Sequence, residues 1–125
     1  RRTLAALDPV TVLAAVAAQT KTLRLGTGIL TPQLRNPVYL AQQWATLFAL
    51  SEGRAIMGVG SGAGTPALLK REFEALAALR HDSTLDPARL YEKRGALFDE
   101  SLDVMRRLWA EDRSPIPVLS SASTR

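Results

Sequence analysis

The sequence predicts an α/β fold in which parallel strands alternate with helices. Helix-start signals recur along the chain, two short apolar segments lie between them, and glycines follow both segments. A strand, a helix and a second strand at this spacing form a βαβ unit, whose crossover is right-handed in nearly all proteins. The two strands are therefore expected to be parallel neighbours. The 125 residues have room for a single domain at most.

Each predicted helix begins where an Asp or Asn precedes a proline. This pairing places a side-chain acceptor at the N-cap and a proline at the first helical position, where its missing N–H costs nothing. The chain has such pairs at Asp8-Pro9, Asn36-Pro37 and Asp86-Pro87. The first helix is predicted from Pro9 to about Thr20 and the second from Pro37 to about Leu50, after which Gly53 suits a left-handed C-cap.

Two strands buried on both faces are predicted on either side of the second helix. The segments are LRLGTGIL, residues 23–30, and RAIMGVG, residues 54–60, both apolar and bounded by turn residues. Because parallel strands end at the same edge of a sheet, Gly28, Ile29 and Thr31 are expected to lie beside the glycine-rich segment 58–64. Ligands of parallel α/β folds collect at this carboxyl edge.

The second half of the chain is predicted to be helical and to end in a loose tail. A charged helix follows Pro66, and a long helix runs from about Pro87 to Ala110. The expected apolar side of the long helix consists of Leu90, Leu97, Leu102, Met105, Leu108 and Trp109. Residues 112–125 are rich in proline and serine, a composition that favours a loose segment.

Composition and charge exclude several classes of function. The chain has no cysteine, and its one histidine, His81, lies in a polar turn-like segment, so no metal site is expected. The net charge is +4, but the basic residues are scattered and only 6% of residues are aromatic, which disfavours nucleic acid as a partner. No apolar run approaches the ~18 residues of a membrane span, so we expect a cytoplasmic protein that does not bind membranes. The chain begins with Arg1 rather than methionine, which suggests a piece of a longer protein.

Several charged and aromatic side chains have a structural interpretation. Five carboxylates lie on predicted helices that also carry lysine or arginine and are expected to form solvated ion pairs: Glu72, Glu74, Asp99, Glu100 and Asp103. Trp44 and Trp109 lie on amphipathic helices and are expected in the core or at an interface rather than as ring-stacking platforms. Arg54 stands at a strand entry, opposite the ligand edge, and is expected to pair structurally.

The stretch RAIMGVGSGAGTP allows several interpretations of its glycines. Gly58, Gly60 and Ala63 fit the dinucleotide-binding pattern G-x-G-x-x-G/A. However, Pro66 separates them from the next helix, and no second strand ends in an acidic residue about 20 positions on. A Walker phosphate loop fits less well, because no Gly-Lys-Ser/Thr opens the helix. The remaining alternatives are a loop whose glycines only permit positive φ and a surface that a flat ring approaches closely.

Five motifs follow one another between Asp8 and Asp112. They are a Leu-Gly-Thr-Gly strand, an Asn-Pro helix entry, a Leu-Ser-x-Gly-Arg junction at Leu50 to Arg54, a Gly-Val-Gly-x-Gly loop and a Leu-Trp helix end. This order resembles the luciferase-like monooxygenases, the superfamily of bacterial luciferase. That superfamily also contains deazaflavin-dependent reductases and dehydrogenases.

The resemblance implies a (β/α)8 TIM barrel with a flavin-type ring at its carboxyl mouth. This chain would be a fragment supplying strands three and four with their helices. The resemblance also implies a bulged first strand with a non-prolyl cis peptide at Gly28–Ile29, and a glycine loop that approaches the polar edge of the ring. The cofactor-binding residues that it implies are Gly28, Ile29, Thr31, Ser61 and Gly62, and it identifies no catalytic residue.

Two cofactors and two chemistries remain open under this resemblance. FMN in its reduced form would support a monooxygenase, whereas the deazaflavin coenzyme F-420 would support a reductase or dehydrogenase, in either case on a small-molecule substrate. Asn36 stands where many flavin members have histidine, which is closer to deazaflavin dehydrogenases, but Ala63 stands where those enzymes place glutamate. A non-catalytic flavin-binding or assembly module is the alternative from another class. The isolated segment is expected to be inactive, and a homo-oligomer is compatible with the sequence.

Overall fold

The computed structural model describes residues 7–62, 71, 73–74 and 86–110. The helices are α1 (Pro9–Gln19), α2 (Pro37–Leu50), α3 (Pro87–Glu92) and α4 (Arg94–Trp109), and the strands are β1 (Leu25–Gly26) and β2 (Ala55–Ile56). A single-turn 3-10 helix, Pro32–Leu34, lies between β1 and α2. Most of the charged helix predicted after Pro66, the segment around His81 and the tail from residue 112 onward lie outside the described residues; residues 71, 73 and 74 of that predicted helix are helical.

The three predicted helix starts are confirmed. The Asp8 carboxylate accepts from the backbone N–H of Thr11, the Asn36 amide oxygen from those of Val38 and Tyr39, and the Asp86 carboxylate from that of Ala88. Helix α2 has the predicted bounds, and α1 ends one residue before the predicted one. Gly53 follows α2 at φ +80°, the left-handed conformation that suits glycine.

The two strands are parallel neighbours, as predicted, and are joined by α2. Leu25 pairs with Ala55 and Gly26 with Ile56, and the pairing resumes at a bridge between Leu30 and Val59. From position 26 to 30 the first segment advances four residues, whereas from 56 to 59 the second advances three. The extra residue is a bulge in the first segment. The regular strands are therefore shorter than the apolar segments that predicted them.

One face of the sheet carries the core. Residues of α1, α2 and α4 join Leu25 and Ala55 in one apolar cluster, whose buried members are Val10, Ala17, Leu25, Leu30, Leu40, Ala41, Trp44, Leu47, Ala55 and Met105. The opposite face is open, since Ile56 is 49% exposed. The expectation of strands buried on both faces is thus met on one face only, because the described helices cover one side of the sheet.

The indole of Trp109 joins α4 to α2. Trp44 is 3% exposed, and the Trp109 Nε1–H donates to the Ala41 carbonyl over 3.1 Å. Both tryptophans are part of the packing, as predicted. Asp103, on the outer side of α4, lies 3.8 Å from Arg106 in an exposed ion pair.

The long helix predicted over residues 87–110 is interrupted at Lys93, so the expectation of one continuous helix is wrong. Lys93 has φ −84° and ψ 6°, outside the helical region. The Arg94 guanidinium donates to the carbonyl of Tyr91 over 3.1 Å and lies 4.4 Å from the centre of the Tyr91 ring. This local pairing accompanies the break between α3 and α4.

Arg54 ties the end of α1 to the start of β2. Its guanidinium donates to the carbonyls of Ala17, Thr20, Leu23 and Ser51 at 2.8–3.1 Å, and to the Thr20 hydroxyl at 3.1 Å. The cation thus satisfies free carbonyls at a helix C-terminus, where the helix dipole also favours it. The structural role predicted for Arg54 is confirmed.

Candidate functional site

The carboxyl ends of the two strands lie side by side, as expected for the ligand edge of a parallel sheet. We refer to residues 27–31 and 58–62 as the mouth segments. The Gly58 carbonyl accepts from the Thr27 hydroxyl over 2.7 Å and from the Leu30 N–H over 2.9 Å, and the Gly60 N–H donates to the Leu30 carbonyl over 3.0 Å. These bonds hold the two segments in one rigid arrangement.

Gly58 is required by the close approach of the mouth segments to each other. A Cβ atom at this position would overlap the carbonyl oxygen of Thr27 and lie 3.2 Å from its carbonyl carbon. One glycine of the sequence pattern therefore serves strand packing. Gly62, in contrast, has φ +86°, a backbone conformation that residues with a side chain rarely adopt.

Gly28 and Ile29 face open space. The peptide bond between them is cis, as the resemblance implied. A Cβ at Gly28 would meet no atom within 4 Å, and Ile29 is 56% exposed. A groove of about 380 Å³ lies here, bounded by residues 26–29 and by Leu7, Pro9, Val12 and Leu13 at the start of α1. Its walls are apolar side chains and bare backbone, which suits a flat ring.

The structure brings Ser61 and Gly62 to the same edge as Gly28 and Ile29. Ser61 is half-buried, and its carbonyl accepts from the Nε2 of Gln33 over 2.8 Å. Thr31 lies next to the bridge, at the N-cap of the 3-10 helix, but its side chain makes no capping hydrogen bond. All five predicted site residues thus lie in or beside the mouth segments.

Sequence reasoning missed Gln33. This residue is 5% exposed, and it links the 3-10 helix to the glycine loop through the Ser61 carbonyl. Its Oε1 is buried, and no residue in the described part of the chain donates a hydrogen bond to it. The available signal was an amide in an otherwise apolar turn, TPQL, directly after the predicted strand.

One ion pair borders the site. The Asp8 carboxylate accepts from the Thr11 N–H and hydroxyl at 2.9 Å each, and from the Arg35 guanidinium at 2.6 Å. The hydrogen bond from the Thr11 backbone lowers the pKa of Asp8, partial burial raises this pKa, and Arg35 lowers it further, with a net decrease. The pair connects the first turn of α1, which bounds the groove, to the segment before α2.

The mouth segments contain no titratable side chain: their residues are TGILT and GVGSG. Within the described ranges, no three His, Cys, Asp or Glu side chains are grouped so as to hold a metal ion. The arrangement can therefore bind and orient a ring through backbone groups and hydroxyls. A larger cavity of about 490 Å³ lies between α1 and α2, but it is lined by helix residues alone and includes none of the mouth segments.

The comparison with protein families decides which family this geometry represents. The family model described as luciferase-like monooxygenase matches residues 2–116. The chain belongs to the luciferase-like monooxygenase family. This membership confirms the resemblance on which the site residues were selected.

Several of the similar proteins are oxidoreductases by name. The chain is 37% identical over 102 residues to an F420-dependent glucose-6-phosphate dehydrogenase of Intrasporangium calvum, covering 81% of this chain and 27% of that protein. It is 39% identical over 99 residues to the protein of the same name from Amycolatopsis mediterranei, covering 78% and 26%. The structure of the monooxygenase RslO1 from Streptomyces bottropensis is similar at a TM-score of 0.60 and 36% identity, covering 83% of this chain and 27% of that one.

The chain thus spans about a quarter of the length of these luciferase-like relatives.

None of the helices in the described ranges has the length and apolar character needed to cross a bilayer.

Proposed function

We propose that this chain forms part of the cofactor-binding mouth of a flavin- or deazaflavin-dependent oxidoreductase. The observation that carries the proposal is the groove at Gly28 and Ile29, where bare backbone and an exposed apolar side chain stand beside the glycine loop. A flat heteroaromatic ring needs such a surface, because side chains would hold it away from the backbone.

The proposed architecture is a (β/α)8 barrel to which the chain contributes two adjacent βα units. Two units of about eight make about a quarter of a barrel, in line with the 26–27% of its relatives that the chain covers. The exposed sheet face around Ile56 is then the inner face of the barrel, which further strands would cover.

The residues present fit a flavin-type ring. Gly28 and Ile29 would lie against one ring face, and Val12 belongs to the same groove wall. Ser61 and Gly62 would face the polar ring edge with a hydroxyl and a backbone N–H, and Thr31 adds a second hydroxyl. When bound, the ring supplies the redox chemistry, which the mouth segments lack.

The chain's own contribution is to orient the ring and to exclude water from one of its faces. The bonds at the Gly58 carbonyl fix the two mouth segments relative to each other, so the ring meets a surface that is already formed. No side chain of the mouth segments can act as an acid or a base at neutral pH. The groups that handle protons are therefore proposed to come from other parts of the protein.

The deazaflavin coenzyme F-420 is the first candidate for the ring. Two relatives at 37% and 39% identity are named as F420-dependent dehydrogenases. FMN and monooxygenase chemistry form the second candidate, favoured by the similarity to the monooxygenase RslO1 at 36% identity. Binding of purified F-420 and of FMN to the intact protein separates the two.

A single substitution tests the placement of the ring. Gly28→Leu in the intact protein is expected to abolish cofactor binding and to leave the fold unchanged, because the space at Gly28 is open and would be filled by the new side chain. Fluorescence titration with F-420 and FMN measures the affinity, and circular dichroism measures the fold. Gly95→Leu is the matched control, since a Cβ at Gly95 also meets open space but lies on α4. Unchanged affinity in Gly28→Leu would refute the placement, and binding without turnover of any substrate would favour a non-catalytic module.

A further inference from the structure

Gln33 is a buried amide whose two polar ends differ in their surroundings. Its Nε2 donates to the Ser61 carbonyl over 2.8 Å, whereas its Oε1 is buried without a partner among the described residues. A buried unpaired acceptor opposes folding. Leucine has a similar size and would avoid this cost, so burial alone does not account for an amide here. The contact with Ser61 is the remaining reason.

This contact fixes the orientation of the peptide between Ser61 and Gly62. The peptide is trans, because among the described residues the cis bond is at Gly28–Ile29. In a trans peptide the carbonyl and the following N–H point in opposite directions. With the Ser61 carbonyl directed at Gln33, the Gly62 N–H is directed away from it. No acceptor in the described ranges takes this N–H.

Gly62 makes that orientation easy to lose. Glycine adopts positive and negative φ at similar cost, and Gly62 stands at φ +86°. Rotation of the Ser61–Gly62 peptide would exchange its two polar groups and present a carbonyl where the N–H now lies. A hydrogen bond from a side chain that is itself buried and held by the 3-10 helix prevents this exchange.

We propose that Gln33 is a positioning residue that locks the Ser61–Gly62 peptide so that the Gly62 N–H faces the mouth as a donor. Its acceptor is a carbonyl oxygen on the polar edge of a flavin-type ring, a feature that flavins and deazaflavins share. This inference rests on the proposed function for the ligand, whereas the locking of the peptide is independent of it. Gln33 acts through the loop and does not itself touch the ring.

Three variants of the intact protein test the role. Gln33→Leu removes the donor and the unpaired oxygen together, so its melting temperature is expected to stay close to that of the wild type. Its affinity for the cofactor is expected to fall about tenfold, the effect of one hydrogen bond at a ring edge. Gln19→Leu, the same change at an exposed position at the end of α1, is the control and is expected to leave both quantities unchanged.

Gln33→Glu distinguishes a positioning role from a packing role, because only a positioning role makes the cofactor affinity of this variant depend on pH. An ionised carboxylate cannot donate to the Ser61 carbonyl, whereas a protonated one can. The affinity of this variant relative to the wild type is therefore expected to recover as the pH falls through the pKa of the new carboxyl, which burial would raise. A relative affinity that does not depend on pH would overturn the positioning role.

The peptide itself can be observed without cofactor. Serine labelled at the carbonyl carbon and glycine labelled with ¹⁵N select Ser-Gly peptides; Ser61–Gly62 is the one such pair among residues 1–125, and its signal in the intact protein is the one that Ser61→Ala removes. Its NMR signal is expected to be single and sharp in the wild type, and shifted, broadened or split in Gln33→Leu.

The outcomes distinguish this inference from the proposed function. If the wild type binds neither F-420 nor FMN, the proposed function fails, and the proposed acceptor fails with it. The NMR signal then still decides whether Gln33 locks the peptide. If the wild type binds a cofactor and Gln33→Leu has the same affinity and the same signal, Gln33 has no positioning role and the proposed function stands.

Discussion

Replacing Gly58 with alanine is expected to destabilise the mouth more than any other single methyl group added there. The new Cβ would overlap the carbonyl oxygen of Thr27, which belongs to the backbone and cannot move aside alone. The two mouth segments would have to separate. Separation weakens the bonds that the Gly58 carbonyl accepts from the Thr27 hydroxyl and the Leu30 N–H, now 2.7 and 2.9 Å long.

The magnitude follows from these contacts. Two hydrogen bonds contribute about 0.5–1.5 kcal/mol each, and forcing a methyl group into filled space costs about 1–3 kcal/mol, so the free energy of unfolding is expected to fall by about 2–6 kcal/mol. Against a typical total of about 5–15 kcal/mol, this is a large loss. Urea unfolding of the intact protein, followed by circular dichroism, measures it.

Two further variants make the measurement decisive. Gly95→Ala adds the same methyl group where no atom lies within 4 Å, on helix α4, and is expected to be neutral or to stabilise the protein by up to about 1 kcal/mol. Thr27→Val removes only the hydroxyl bond to the Gly58 carbonyl, and is expected to cost about 1 kcal/mol while the protein stays folded. If the free energies of unfolding of Gly58→Ala and Gly95→Ala differ by less than about 0.5 kcal/mol, the contact of Gly58 with the Thr27 backbone does not limit the stability of the mouth segments.

Two other predictions concern the supports of the site. Arg54→Lys keeps the charge, but a lysine cannot bond all five acceptors that the guanidinium now bonds. We therefore expect the free energy of unfolding, measured with urea, to fall by about 1–3 kcal/mol. Arg24→Lys, at an exposed position, is the control, and an equal loss of stability in the two variants would contradict the prediction. The pKa of Asp8 is lowered in the folded state, chiefly by the Thr11 backbone N–H, so its contribution to stability is present above the unfolded pKa of 3.8 and is lost as the pH falls through the folded value. Asp8→Asn should therefore melt at a lower temperature than the wild type at pH 7, with a difference that shrinks below about pH 4; a difference in melting temperature that is constant with pH would show that the Asp8 charge has no part in it.

The sequence contained enough local information for much of the fold. Asp8, Asn36 and Asp86 predicted the helix starts because a capping hydrogen bond forms within three residues and needs no tertiary partner. The parallel arrangement of segments 23–30 and 54–60 followed from the length of the connection and the handedness of crossovers, whereas their register came from the structure. The interruption of the helix at Lys93 was not predicted. It accompanies a contact between the Arg94 and Tyr91 side chains, and the sequence pattern does not specify the geometry of that contact.

The sequence also identified the candidate site, but not the separate tasks of its glycines. Gly28, Ile29, Thr31, Ser61 and Gly62 were selected by their position after two strands and by the family resemblance, and the family model matches the chain. The structure shows that Gly58 serves strand packing, whereas Gly28 faces an open groove. This difference depends on which atoms lie opposite each glycine, and the amino-acid sequence of the loop does not specify those atoms.

What the sequence by itself determined is the βαβ unit, the bounds of its helix and the family. These depend on contacts between residues close in sequence, on the chirality of the chain and on motifs read in order. Only the tertiary structure decided the five hydrogen bonds of Arg54 and the contact of Gln33 with Ser61, 28 residues apart. Each of these requires the exact distance between two segments that the chain brings together only when it folds, and no local pattern encodes that distance.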